Sequence, residues 1–206
     1  VTGPGEPRAD GYRPRAADGP RVRTDIVDVY VFRRVPGATD ELELLQLLRA
    51  GEPLDDTWQP VMGHVEQGER AWETAWREVA EEVGLAAGDP ALVGMWALEQ
   101  TQPYYVAAID SVVLSPRFAA EVAPGWSPTL NDEHHDARWI RWPFHGGQPA
   151  GEFFLWPGQR RAIEELVEVI APEGSATRER LRLSPPGPGA PPGPSAPPRP
   201  GPPPPA

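Results

Sequence analysis

Apolar and polar positions change rhythm several times along this chain, and each change marks an element. Residues 25–33 (DIVDVYVFR) are β-branched and aromatic, the signature of a strand. A turn is expected at 37–40. The leucine-rich run 43–49 (ELLQLLR) is short enough to suit helix or strand. After a loop at 51–56, residues 58–62 (WQPVM) read as a short strand. Between 71 and 83 the period becomes helical. Ala71, Trp72, Ala75, Trp76, Val79 and Val83 form one apolar stripe. Gly63 and Gly68 mark a loop before it, Glu69 suits a first turn, and Gly84 stands where a C-terminal cap belongs. Strand-like runs follow at 92–100 and 104–114, the second (YYVAAIDSVVL) with the composition of a central strand. Residues 116–130 read as a loop over a substrate side. Phe118 and Trp126 there are either base-stacking or ordinary packing residues, and packing is the plainer reading. A short strand at 137–142 precedes a helix at 154–169. Its apolar face is Ala162, Ile163, Leu166, Val167 and Ile170.

The polar face of the 71–83 helix carries the candidate chemistry. Glu78, Glu81 and Glu82 are three and four residues apart, so a helix gathers them within about one turn. Like charges that close repel, and a divalent cation would bind them. Mg²⁺ takes oxygen ligands and typically uses one or two carboxylates together with substrate phosphates.

Gly63, Glu69 and the run Arg77-Glu78-Val79-Ala80-Glu81-Glu82-Val83-Gly84-Leu85 keep the spacing of the Nudix box at every fixed position. The chain therefore resembles the Nudix hydrolases. An acidic solvated helix would explain the charges but neither the flanking glycines nor the register. The resemblance implies an α/β/α sandwich, with a mixed sheet between the box helix and a C-terminal helix, and it favours a strand at 43–49. It implies Mg²⁺ as cofactor, with Mn²⁺ as a substitute. Glu78 and Glu82 are the expected metal ligands, and the Gly63 carbonyl is a further one. Glu81 is either another ligand or the group that activates water. Glu69 and Arg77 are expected to pair and fix the loop against the helix. Arg49, at the end of its strand, corresponds to an arginine that contacts substrate phosphate in related enzymes; the alternative is a solvated edge arginine. Residues 131–142 (NDEHHDARWIRW) and the closing helix are similar to the dATP and dihydroneopterin-triphosphate pyrophosphohydrolase branch. Glu133 is the candidate there for an additional metal ligand or a base for the attacking water. His134 and His135 are weaker candidates, since adjacent residues point different ways. Trp58 is expected at the core or rim.

The implied reaction is hydrolysis of a nucleoside triphosphate or related compound to monophosphate and pyrophosphate. Dinucleoside polyphosphates and nucleotide sugars are the alternative substrates. A non-catalytic nucleotide sensor would require a damaged box.

Composition narrows the setting. A net charge of −11 disfavours nucleic-acid partners, which need basic patches. It does not exclude a nucleotide, because a bound metal inverts the local charge. There are no cysteines and hence no disulfide framework. No apolar run reaches a membrane span, so a cytoplasmic protein without membrane contact is expected. Residues 1–23, rich in Gly, Pro, Arg and Asp, are expected to form a flexible arm, 24–172 the folded domain, and 173–206 a tail dominated by Pro and Gly.

Overall fold

Val27, Val29 and Val31 alternate along β2 (Ile26–Arg34) with Asp28, Tyr30 and Phe32, and all six are buried. Successive strand residues point to opposite faces, so β2 must be covered on both sides. The structure, a computed structural model, describes residues 19–38, 41–51, 54–143 and 157–187. In it β3 (Leu42–Arg49) runs antiparallel to β2, and β10 (His134–Trp142) antiparallel to β3. On the other side β9 (Arg117–Val122) is parallel to β2, with β6 (Leu92–Leu98) antiparallel beyond it. The short strands β4 (Trp58–Gln59) and β5 (Val61–His64) join the sheet on β3 and β2, with Pro60 between them.

Helix α1 (Ala71–Val83) packs Ala75, Trp76, Val79 and Val83 against Val27, Val29 and Val31. On the opposite face, α2 (Pro157–Glu165) continues into a π-helical stretch, Leu166–Ile170. There Ile163, Leu166 and Ile170 meet Tyr30 and Phe32. Each fully buried side chain of this size contributes about 1.5–3 kcal/mol. The result is the expected α/β/α sandwich around a mixed sheet. Gly84 ends α1 in the left-handed region at φ 72°, and its amide donates to the Val79 carbonyl.

Several expectations fail, each for a physical reason. Residues 104–114 are not a central strand. The chain folds back on itself as β7 (Tyr104–Val106), a 3-10 turn at Ala107–Ile109, and β8 (Ser111–Val113). Asp110 takes φ 44° at the reversal and accepts the Tyr105 hydroxyl at 2.7 Å. Nor is 116–130 all loop, for it contains β9, a strand buried along its whole length. Its charged residues are paired inside: Glu121 with Arg34 and Arg178 at 2.7 Å each, and Arg117 with Asp28 at 3.5 Å. Phe118 is accordingly core.

The folded boundaries also extend outward. Residues Arg21–Arg23, assigned to the arm, form β1, which pairs with β8 in a second, three-stranded sheet. Beyond residue 172, α3 (Ala176–Leu181) stays on the fold because Arg178 and Arg182 lie over the Trp96 ring at 4.0 and 5.4 Å. Residues 1–18 and 188–206, most of the expected arm and tail, lie outside the described residues, as does 144–156 ahead of α2. Among the described residues no helix is long and apolar enough to cross a membrane.

Candidate active site

One guanidinium joins the loop before α1 to the helix. Arg77 donates to Glu69 Oε1 at 2.9 Å and Oε2 at 3.1 Å, and to the His64 carbonyl at 2.9 Å. The same group reaches Glu78 Oε1 at 2.7 Å and Glu81 Oε2 at 3.0 Å. Glu69 also accepts the Thr74 hydroxyl and the Glu66 amide. Burial works against its ionisation, yet these bonds hold its carboxyl below the ordinary range. Glu73 accepts the Arg70 amide at 2.8 Å and closes the helix start.

Gly63 lies on β5 directly under the helix. A Cβ there would sit 1.8 Å from Glu78 Cδ and Oε1, so only glycine lets this carboxyl rest against the strand. Glu78 and Glu82, one turn apart, are both buried. Burial pushes Glu78 up to about 7. Arg77 opposes that rise, and Glu81 and Glu133 add to it. Burial pushes Glu82 up to about 9, helped by Glu78 and Glu133, while the Met62 amide and Arg49 hold it back. Glu82 Oε2 has no hydrogen-bond partner.

Sequence reasoning grouped Glu81 with these two, but it points outward and its side chain is 55% exposed. Glu133 is exposed at the start of β10, within electrostatic reach of both buried carboxylates. The four acidic groups share a field but not a point. Among the described residues no three His, Asp or Glu side chains are gathered tightly enough to hold an ion as they stand. Arg49 ends β3 opposite His134, and its buried Nε has no partner. His134 itself is buried among these groups, with Nε2 3.7 Å from Glu82 Oε2. Burial, with Arg49 second, lowers it to about 4, so the ring is neutral. His135 is exposed.

Aromatic groups stand on the neighbouring strands. Arg138 lies over the Trp58 ring at 4.1 Å and Arg33 over Trp139 at 3.9 Å. Trp126 meets Trp139 edge-on with ring centres 6.3 Å apart. Trp58 and Trp126 are thus already engaged within the protein.

A family profile described as the NUDIX domain matches residues 22–145. The chain belongs to the Nudix family. It is a Nudix pyrophosphohydrolase, and enzymes of this family generally use divalent metal ions. The asymmetrical bis(5'-nucleosyl)-tetraphosphatase of Sus scrofa is 28% identical over 121 residues, 53% of this chain and 74% of that protein. Among solved structures, a binary complex of the C. elegans Ap4A hydrolase superposes with TM-score 0.56 at 19% identity, covering 72% of this chain and 98% of that one. The E. coli dihydroneopterin triphosphate pyrophosphohydrolase gives 0.53 at 25% identity, covering 69% and 94%.

Donor chemistry and burial fit the family's ion. Burial and mutual proximity disfavour the ionised forms of Glu78 and Glu82, which a bound cation would restore, and Glu82 keeps a buried oxygen without a donor. Such an oxygen costs about 1–3 kcal/mol unless something electropositive meets it.

Proposed function

We propose that this Nudix enzyme hydrolyses a phosphoanhydride bond in a nucleoside triphosphate or related compound, of the dATP or dihydroneopterin-triphosphate type, with Mg²⁺ as its working ion. The products are a monophosphate and pyrophosphate. The observation that carries the reading is the unpartnered, buried Glu82 oxygen next to Glu78, which rests on Gly63, with Arg49, its buried Nε also unpartnered, within electrostatic reach.

In this reading Glu78, Glu82 and the Gly63 carbonyl hold the ion. Glu81 and Glu133, both exposed, are free to add a ligand or to take the proton of the attacking water. Arg49 places its donor on a substrate phosphate. Arg77 keeps Glu78 aimed and the loop closed against the helix. The ion supplies charge neutralisation on the phosphates and a more acidic bound water. Positioning and electrostatics then carry most of the acceleration.

A second reading has a specific observation behind it. The Sus scrofa relative is named as a dinucleoside tetraphosphatase, so a dinucleoside polyphosphate is the rival substrate. A panel of dATP, dihydroneopterin triphosphate, diadenosine tetraphosphate and a nucleotide sugar, each with Mg²⁺ and with chelator, separates the readings by product. Pyrophosphate from the triphosphates, abolished by chelator, is expected. A higher kcat/KM on diadenosine tetraphosphate with two unequal nucleotide products would replace the first reading with the second. Absence of metal-dependent turnover on every compound would sink both.

A further inference from the structure

Asn131 settles the tautomer of a histidine beside the box. Its Oδ1 accepts the Glu133 amide at 3.1 Å, which orients the side-chain amide with its oxygen inward. The same oxygen lies 3.3 Å from His134 Nδ1. An acceptor at that position requires Nδ1 to carry the hydrogen. The other ring nitrogen is then the one left to meet a ligand. That nitrogen, Nε2, is buried without a partner and stands 3.7 Å from Glu82 Oε2, also buried without a partner. Both atoms are unsatisfied in the interior, and each is costly left so. The gap is too long for a hydrogen bond. Ligand atoms sharing one ion lie about 3–3.5 Å apart, so a small rotation of either side chain closes the difference.

We propose that His134 Nε2 is a ligand, beside the Glu82 carboxylate, of the enzyme's divalent ion, which makes the centre a mixed oxygen–nitrogen site and not an all-oxygen one. The proposal rests on the reading above that the box carboxylates hold this ion. Imidazole suits the later first-row ions, such as Ni²⁺ and Zn²⁺, better than Mg²⁺ or Mn²⁺. His134 therefore biases the site toward the later ions, and Asn131 acts on the ion only by holding the ring.

Mn²⁺ is both a family-type ion and a paramagnetic probe, so the full-length protein can be tested without turnover. Pulsed electron paramagnetic resonance of bound Mn²⁺ should show coupling to a directly ligated ¹⁴N. The coupling should convert to a ¹⁵N pattern on histidine labelling and vanish in His134→Gln. It should persist when His64, His135 or His145 is replaced. Titration should show Ni²⁺ affinity falling by at least about 10-fold in His134→Gln, and Mg²⁺ affinity falling less. If His134→Gln does not fold, the labelled wild type and the other three variants assign the nitrogen by exclusion. Bound Mn²⁺ without nitrogen coupling, or coupling that survives His134→Gln, overturns the proposal and leaves the carboxylate site standing. Mn²⁺ binding unchanged in the Glu78→Gln/Glu82→Gln double variant overturns the carboxylate site as well.

Discussion

The two faces of β2 each bury a carboxylate, and they treat it in opposite ways. Toward α2, Asp28 sits in parallel register with Arg117 of β9, with Nε and Oδ2 3.5 Å apart and both side chains almost wholly enclosed. Burial raises Asp28 to about 6, and the guanidinium beside it opposes the rise. Toward α1, Glu82 meets two further acidic groups, and its opposing cation, Arg49, exerts the weakest of the influences on it. One face carries its own counter-charge. The other lacks a close cation, and its carboxyl is held toward the protonated form. A fold gains nothing from a buried carboxyl left without a counter-charge, so its presence points to a ligand, whereas the Asp28–Arg117 pair is interior structure.

Replacing Glu82 by Gln should have the largest effect. Turnover is expected to fall by roughly 10²–10³, the usual scale for one electrostatic contributor. The thermal midpoint should hold, because Gln replaces a buried carboxyl already kept toward its neutral form. Product assays and calorimetry on the same preparation check both halves, and full activity would erase the distinction between the faces. Next comes Arg117→Met. It strands Asp28 without its cation and should cost about 3–5 kcal/mol in urea unfolding, with the activity of the folded fraction kept. A neutral result would mean that the α2 face is not held by this pair.

The smallest effect is the most diagnostic of sign. Asp28 binds its proton more tightly folded than unfolded, since about 6 lies above 3.8. Its contribution to stability is therefore fully present below about pH 4, is lost as pH rises through about 6, and stays flat above. The unfolding free energy of the wild type, relative to Asp28→Asn, should decline across that window by at most about 1.4 kcal/mol per pH unit. A rise across the same window would show that Arg117 overcomes burial and that the pair behaves as an ordinary salt bridge.

How far the sequence foretold these faces depends on how local each signal is. The box helix was legible down to its cap because apolar stripe, glycines and acidic residues lie in one continuous stretch. The strand at 25–33 was equally plain from its β-branched and aromatic residues. By contrast β9 was hidden. Arg117 and Glu121 interrupt its apolar run, and their partners Asp28, Arg34 and Arg178 are all distant in sequence. The misreading of 104–114 came from trusting β propensity, which does not say where a strand turns back; Asp110, mid-run, was the available cue. Glu81 was grouped correctly by helical spacing, but spacing does not tell which rotamer Arg77 draws outward. Spacing does not show what surrounds His134, because its neighbours are Asn131 three residues earlier and an acidic side chain fifty-two positions away.

The clasp that α3 makes with the sheet edge has a practical reach. Arg182 bridges to Trp96 and donates to the Val93 carbonyl, and the Leu183 amide donates to Met95. Together they sheathe a rim of the sheet that would otherwise offer unpaired backbone to a second chain. Shortening the protein at residue 172, where composition first suggests a safe cut, would strip that sheath and leave Glu121 without Arg178. Trimming after residue 187 spares the seam, so the two truncations should part company in solubility well before they differ in catalysis.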